Sequence, residues 1–475
     1  MVDKCCICLI YKKKLPRYYM SNKIKQIDLL NRNSLVMLAK KLQIKGYSNG
    51  FKSPYRNKEY LKSTIQDSLK TLKKRSCSTS TLQKGGNIFP ATALKRSKSC
   101  SDMGSINPIE SGVNSHQFDS DLCKTKSSCF FPKQRRIVAI GDIHGDIQVA
   151  IKALKLAGVI SKSIPDTTID IRKINWEGGE TYVVQLGDQI DRVRPSKLFN
   201  SLCIEDDSEL VQDEGSDLKI MCLFDRLNLQ AQRVGGACLS VLGNHELMNV
   251  DGDFRYVSPK EFSEFGNYFK GNLTLDSKYP FGYKERKEAF QPGGVVAKMM
   301  ANNRYSVVQV GSWIFVHGGI SPKCANDYSL EDINYHIKNW LLGDLSPNTQ
   351  KHVQHLYHLD DDDHSPFWSR IYSDMDEWNG KDSVRDFIKM LNVINVKNIR
   401  KNDNAIKGIV MGHSPQFMYD RGINSSAQNR IWRVDVGASR AFGKIENTLE
   451  CAHRLVQVLV IENDNKFSIV KEKCF

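Results

Sequence analysis

From residue 135 onward the chain alternates short apolar runs with polar, glycine-flanked turns. Ile137-Val138-Ala139-Ile140 leads into Gly141-Asp142-Ile143-His144-Gly145-Asp146, and Tyr182-Val183-Val184-Gln185-Leu186 into Gly187-Asp188-Gln189-Ile190-Asp191-Arg192. Cys238-Leu239-Ser240-Val241-Leu242 leads into Gly243-Asn244-His245-Glu246. Trp313-Ile314-Phe315-Val316 leads into His317-Gly318-Gly319, and the run 406–411 into Gly412-His413-Ser414. Such short, β-branched runs predict buried strands. Residues 148–156, 218–234 and 294–302 carry helical periodicity between them, so the pattern predicts an α/β fold. Further strands are expected over 304–316, turning at Gly311-Ser312, over 430–436, and over 455–470, turning at Asn463-Asp464-Asn465.

The N-terminal part reads differently. Residues 1–25 form a basic, irregular tail. Over 26–72 two amphipathic stripes predict a small helical module. Its wording, Leu38-Ala39-Lys40-Lys41-Leu42-Gln43-Ile44-Lys45-Gly46-Tyr47-Ser48, resembles the SAP-like helix–extended-loop–helix modules, which implies docking of nucleic acid or protein through a basic face. Residues 73–134 are rich in Ser, Thr, Lys and Gly and poor in large apolar residues, the composition of a disordered linker. The folded body is therefore expected over 135–475. Charge follows the same division. Residues 1–134 hold 26 Lys/Arg against 8 Asp/Glu, and the remainder 42 against 45, so the overall +15 belongs to the N-terminal quarter. A polyanionic partner is an expectation for that part alone.

Thirteen irregularly spaced cysteines and no signal peptide predict reduced thiols and an intracellular, cytoplasmic protein, with nucleus and viral particle left open. No apolar run is long enough to span a membrane. The acidic stretch 204–217 is expected to be an insertion, and the His- and Asp-rich stretch 352–364 a mobile loop.

The five turns would carry Asp142, His144, Asp188, Asn244, His317 and His413 to one sheet edge. Carboxylate, imidazole and amide carbonyl without thiolate make a hard-to-borderline donor set that suits two Mn, Fe or Zn ions. Two such cations sharing a carboxylate can activate water and neutralise a phosphoryl group.

The set GDxHG, GDxxDR, GNHE, HGG and GH is similar to that of the metal-dependent phosphoprotein phosphatases of the calcineurin-like metallophosphoesterase superfamily. The stretch from Gly243 to Tyr256, together with Val434-Asp435-Val436-Gly437-Ala438-Ser439 and Pro366-Phe367-Trp368-Ser369-Arg370, resembles the Shewanella-like branch. The resemblance implies two mixed β-sheets packed as a sandwich and flanked by helices. It also implies Asp142 and His144 on a first metal, Asp188 bridging, and Asn244, His317 and His413 on a second. His245 would be the general acid oriented by Asp191. Arg192 and Arg370 would bind the phosphate, and a metal-bridging hydroxide would attack phosphorus directly. Val193 stands where the family carries Gly, so the turn after Arg192 is expected to differ.

The implied activity is phosphomonoester hydrolysis on phosphoproteins, at Ser/Thr or Tyr. Alternatives are a small-molecule phosphoesterase, such as a dinucleoside polyphosphate hydrolase or nuclease, and a non-catalytic docking scaffold. Ser414-Pro415 after His413, in place of a second histidine, favours monoesters.

Overall fold

The computed structural model describes residues 128–194, 213–269, 279–358, 364–373, 380–398, 404–443 and 452–473. The basic tail, the helical module, most of the linker and Asp360–Asp363 lie outside the described residues.

Among the described residues, twelve strands form two six-stranded sheets. They are β1 (Phe130–Phe131), β2 (Arg136–Ile140), β3 (Tyr182–Gln185), β4 (Ala237–Val241), β5 (Arg304–Tyr305), β6 (Val307–Val310), β7 (Trp313–Val316), β8 (Gly408–Met411), β9 (Asn424–Ser426), β10 (Ile431–Arg433), β11 (Gln457–Glu462) and β12 (Lys466–Lys471). One sheet runs β12-β11-β2-β3-β4-β5, the other β1-β6-β7-β8-β10-β9. Both are mixed. Strands β2, β3 and β4 are parallel with β11 antiparallel to β2, and β7, β8 and β10 are parallel with β6 antiparallel to β7.

Alternate residues build the layers. Ile137, Ala139, Val184 and Leu239 from one sheet pack against Val308, Trp313, Phe315 and Val410 from the other. Val138, Ile140, Val183 and Cys238 face the opposite way, onto the helices Ile147–Leu156 and Asp217–Gln232. Ile314, Val316, Ile409 and Met411 face a second helical layer that includes Leu330–Leu341 and Gly380–Asn398. Every central strand is thus apolar on both faces, which is why it reads as an unbroken hydrophobic run. The expected α/β sandwich flanked by helices is the observed fold.

At the described end of the acidic stretch Asp213 and Asp217 are buried, and Glu214 pairs with Arg440. Three expectations need correction. The sheets start at Phe130, inside the stretch assigned to the linker, because β1 pairs with β6. Part of the supposed loop is the helix Pro347–Leu356, started by the Ser346 side chain, and His364 is buried. Cys129, Cys238 and Cys324 are buried thiols, but Cys222 is disulfide-bonded.

Among the described residues no helix is long and apolar enough to cross a membrane.

Candidate metal and phosphate site

The six candidate ligands converge, but from two sheets rather than one edge. The turns after β2, β3 and β4 bring Asp142, His144, Asp188 and Asn244. Those after β7 and β8 bring His317 and His413 from the facing sheet. Backbone bonds tie the loops together: Ile143 and His144 N–H donate to the Asp188 carbonyl at 3.0 and 2.8 Å, and Gly412 N–H to the His317 carbonyl at 2.9 Å. The His413 N–H donates to both Asp142 carboxylate oxygens, at 3.2 and 3.1 Å. Two glycines are required by close approach. A Cβ on Gly243 would strike the Asp188 carboxylate, and one on Gly412 the Asp142 carboxylate.

Asp188 lies at the centre. Its Oδ2 is 3.3 Å from His317 Nε2, 3.8 Å from His245 Nε2 and 3.9 Å from His144 Nε2. Two donor groups share it, one with His144 and His245 and one with His317 and His413, each with its donor atoms within 4.8 Å of one another. Asp142 Oδ2 adds a carboxylate 3.9 Å from His144 Nε2.

The donor atoms fit divalent cations. His317 Nδ1 is 2.6 Å from the Leu186 carbonyl, which can only accept, so Nδ1 carries hydrogen and Nε2 is the atom directed into the site. There Nε2 meets the Asn244 Oδ1 at 2.8 Å and the Asp188 carboxylate. Burial alone would lower the His317 imidazole, but Asp188 outweighs it and holds His317 above its ordinary value, so these two acceptors favour positive charge at Nε2, which a proton or a bound cation would supply. His413 Nε2 and His144 Nδ1 are buried without hydrogen-bond partners.

The electrostatics agree. Burial and the neighbouring Asp435 and Asp188 push the Asp142 carboxyl well above the usual carboxylate range. Burial, then Arg194, then His245 hold His144 well below the ordinary imidazole value; burial, Arg370 and His317 do the same to His413. Burial pushes the Asp188 carboxyl up, but the His317 and His245 charges outweigh it and hold it well down. Asp435, buried with Oδ2 unpaired, is raised by burial to about 6. A pocket holding this many buried carboxylates and neutral imidazoles favours added positive charge.

His245 heads the short helix Asn244–Val250 and places Nδ1 2.7 Å from Asp191 Oδ2. Asp191 also accepts from Asn249 Nδ2, at 2.9 Å to Oδ1 and 3.1 Å to Oδ2, and from Arg286 Nη2 at 3.2 Å. A carboxylate this heavily used as an acceptor leaves the proton on the imidazole Nδ1.

The two expected phosphate arginines differ. Arg370 is exposed beside His413 and donates to Ser414 Oγ at 3.2 Å. Arg192 is buried. Its Nη1 lies 3.0 Å from Asp146 Oδ2 but misaligned for a hydrogen bond, and its backbone N–H donates to Glu261 Oε1 at 2.9 Å.

Sequence reasoning missed Arg286, Asn249, Asp217 and Glu246. Glu246 accepts from the N–H groups of Gly243, Asp188 and Gln189, at 2.7, 3.0 and 2.8 Å, and so ties the β3 and β4 turns together. Its position three residues into a helix, where a Glu side chain folds back on the helix start, was the available signal.

Comparison with known proteins agrees with this geometry. The model of the calcineurin-like phosphoesterases matches residues 135–417. Shewanella-like protein phosphatase 2 of Arabidopsis thaliana is 31% identical over 367 residues, 72% of this chain and 78% of the relative. An uncharacterised protein, R398, of Acanthamoeba polyphaga mimivirus is 35% identical over 53% of this chain and 99% of its own length. Shewanella-like protein phosphatase 1 of Plasmodium berghei is 25% identical over 64% of this chain and 67% of its own. Among solved structures, the cold-active protein-tyrosine phosphatase of a psychrophilic Shewanella species aligns over 72% of this chain and 82% of that one, with 19% identity and a TM-score of 0.44. Strand order, convergent ligands and matched residues lead to one conclusion: this chain is a phosphatase of the calcineurin-like phosphoesterase family, whose members use divalent metals, and its His/Asp clusters could hold them.

Proposed function

We propose that the chain is a dinuclear-metal phosphomonoesterase acting on phosphoproteins. The observation that carries the reading is Asp188, one carboxylate common to two donor groups. Asp142 and His144 would hold one divalent ion, Asn244, His317 and His413 the other, and Asp188 both. Bound there, two cations of the Mn, Fe or Zn type supply charge neutralisation and an acidified water for direct, in-line displacement at phosphorus.

The chain's own groups do the rest. His245 donates the proton to the departing oxygen, with Asp191 fixing its ring through Nδ1 and leaving Nε2 towards the reacting atoms. Arg370 binds phosphoryl oxygens from the His413 side. Arg192 is the second arginine that the family resemblance implies. Ser414, the residue after His413, spends its hydroxyl on Ser373 Oγ at 2.7 Å, which leaves a monoester site without a further imidazole and supports monoester over diester substrates. The name of the Arabidopsis relative, a protein phosphatase, supports a phosphoprotein substrate.

Asp188→Asn tests the reading. Elemental analysis should find two divalent ions per parent chain and fewer in the variant, with hydrolysis of p-nitrophenyl phosphate lost. Full activity and full metal content in the variant would refute it. Parallel assays on phosphotyrosine and phosphothreonine peptides and on a dinucleoside polyphosphate separate the substrate classes. Turnover confined to the last would overturn the phosphoprotein assignment.

A further inference from the structure

A second concentration of imidazoles shares no residue with the Asp188 cluster. The helix Pro322–Asp327 ends at Tyr328, whose N–H donates to the Cys324 carbonyl at 2.9 Å, and Ser329 starts the helix Leu330–Leu341. Tyr328 is therefore fixed at a junction of two helices, and it is buried. The helix Pro347–Leu356 packs there and carries His352 and His355 one turn apart, on one face. Both direct Nδ1 at the same atom. Tyr328 Oη lies 3.1 Å from His352 Nδ1 and 3.5 Å from His355 Nδ1.

Three donor atoms thus converge. The phenol has one hydrogen and can donate it to only one of the two nitrogens. An ion ~2.1 Å from each donor of a tetrahedral set leaves the donors roughly 3.4 Å apart, and the 3.1 and 3.5 Å separations bracket that spacing. His352 is half-buried and His355 exposed, which leaves an entry path and a coordination position for solvent on the His355 side. His336 backs the site, its ring stacked on that of His352 at 3.6 Å with a tilt of 19°. Near-parallel planes keep the His336 lone pairs off any ion lying in the plane of His352, so His336 orients that ligand without joining it. Burial, then His352 on His336, and Lys351 and His355 on His352, hold both rings below the ordinary imidazole value and so in the neutral, ligating form. Asp332 acts on both rings in the opposite direction and adds negative potential. The Asp327 carboxylate, beside Tyr328 in sequence, stands 3.7 Å from His364 Nε2.

We propose that Tyr328, His352 and His355 form a binding site for one further divalent transition ion, of the Zn2+ class, separate from the catalytic cluster. Two imidazoles and an oxygen select borderline cations of this kind over Mg2+ or Ca2+. On binding, the ion displaces the phenolic proton to solvent: the O–H bond breaks, and one metal–oxygen and two metal–nitrogen bonds form. The ion clips the helix Pro347–Leu356 to the junction at Tyr328, joining residues 24 and 27 positions apart. With three protein donors and an exposed flank, the site fills only in added metal. It does not depend on the phosphatase reading.

The test is equilibrium dialysis of the full-length protein against low-micromolar free Zn2+, followed by elemental analysis and thermal melting. The quantity read is the Zn2+ that the parent holds in excess of His355→Gln, which cancels whatever the catalytic cluster binds. The excess should be one ion per chain. Tyr328→Phe and His352→Gln should each weaken its binding by more than the ~10-fold that loss of even an outer-shell partner costs. His355→Cys, which offers a thiolate in place of the imidazole, should restore the ion. Zn2+ should raise the melting temperature of the parent more than that of His355→Gln. Hydrolysis of p-nitrophenyl phosphate within twofold of the parent reports that variant as folded. Equal Zn2+ content in parent and His355→Gln would overturn the proposal. So would an excess lost in His355→Gln yet unchanged in both Tyr328→Phe and His352→Gln, which would place the ion on a lone surface imidazole.

Discussion

Replacing Arg286 should disable the protein from a position that touches none of the metal-binding atoms. The side chain is fully buried on the helix Tyr283–Phe290. Its Nη2 donates to Asp217 Oδ2 at 2.8 Å and Asp191 Oδ1 at 3.2 Å, and its Nε to Asn249 Oδ1 at 2.7 Å. Phe265 and Phe290 lie 4.8 and 5.0 Å from its Cζ. Arg286→Met keeps most of the packing and removes the charge, leaving two carboxylates in an apolar setting. Breaking a buried pair in this way costs about 3–5 kcal/mol. At ~2.1 cal/mol/K per residue over ~340 residues, that lowers the melting temperature by about 4–7 °C. Asp217→Asn in the same chain removes one of the stranded charges. The double variant should therefore be more stable than the two single losses add up to, with a coupling of about 0.5–3 kcal/mol. Melting should be followed with chelator present, so that metal linkage does not mask the loss. Strictly additive losses would show that Arg286 and Asp217 do not act as a pair and would refute the reasoning.

Three more outcomes are expected. His245→Asn should retain its metal but slow alkyl phosphates more than aryl phosphates, because a phenolate leaves with little help from a proton donor; equal losses on both would remove the general-acid role. Gly243→Ala should lower metal content as measured by elemental analysis, since the added methyl must displace the Asp188 carboxylate; a fully loaded variant would show the turn to be pliable. His336 and His352 stack with ring centres 3.6 Å apart, and both are held below the ordinary imidazole value by burial, with His352 acting on His336, and Lys351 and His355 on His352. A depressed imidazole favours folding above the unfolded value of ~6.5, and that contribution is lost as pH falls through and below it. Urea midpoints should therefore drop between pH 7.5 and 5, less steeply in His352→Gln; identical slopes in parent and variant would rule the stack out as a cause.

What the chain discloses about its fold and site divides along physical lines. Asp142, His144, Asp188, Asn244, His317 and His413 were legible because each follows a run of strand residues, and a polar turn after a buried strand leaves a recognisable break in hydrophobicity. Which sheet each strand joins was not legible. Strands apolar on both faces, such as Val183-Val184 and Ile314-Phe315, look alike in either sheet, so six ligands from two sheets read as one edge. Arg286 was invisible for the opposite reason. It lies in Tyr-Lys-Glu-Arg-Lys-Glu-Ala-Phe, a polar stretch with the pattern of a solvated helix, and only tertiary packing buries it. Asp217 and Glu261 were hidden likewise, because acidic residues near a helix start are ordinary capping residues unless something remote covers them.

The backbone suggests how such a site keeps its shape before any cation arrives. His144, Asp188, Asp191 and His413 all have positive φ, between 48° and 75°. Non-glycine residues in this region cost of order 1–3 kcal/mol each and persist only where surrounding contacts over-determine them. Here they do. The Asp188 carbonyl takes two N–H groups from the β2 turn, the Glu246 carboxylate takes the Asp188 and Gln189 N–H groups together with that of Gly243, and the Asp142 carboxylate takes the His413 N–H. These bonds link turns from both sheets, so relaxing one strained residue would break contacts in another. Donors from five turns are thus held at a common point by backbone bonds that need no metal. This makes the cation pocket a property of the sandwich itself rather than of whatever ion fills it.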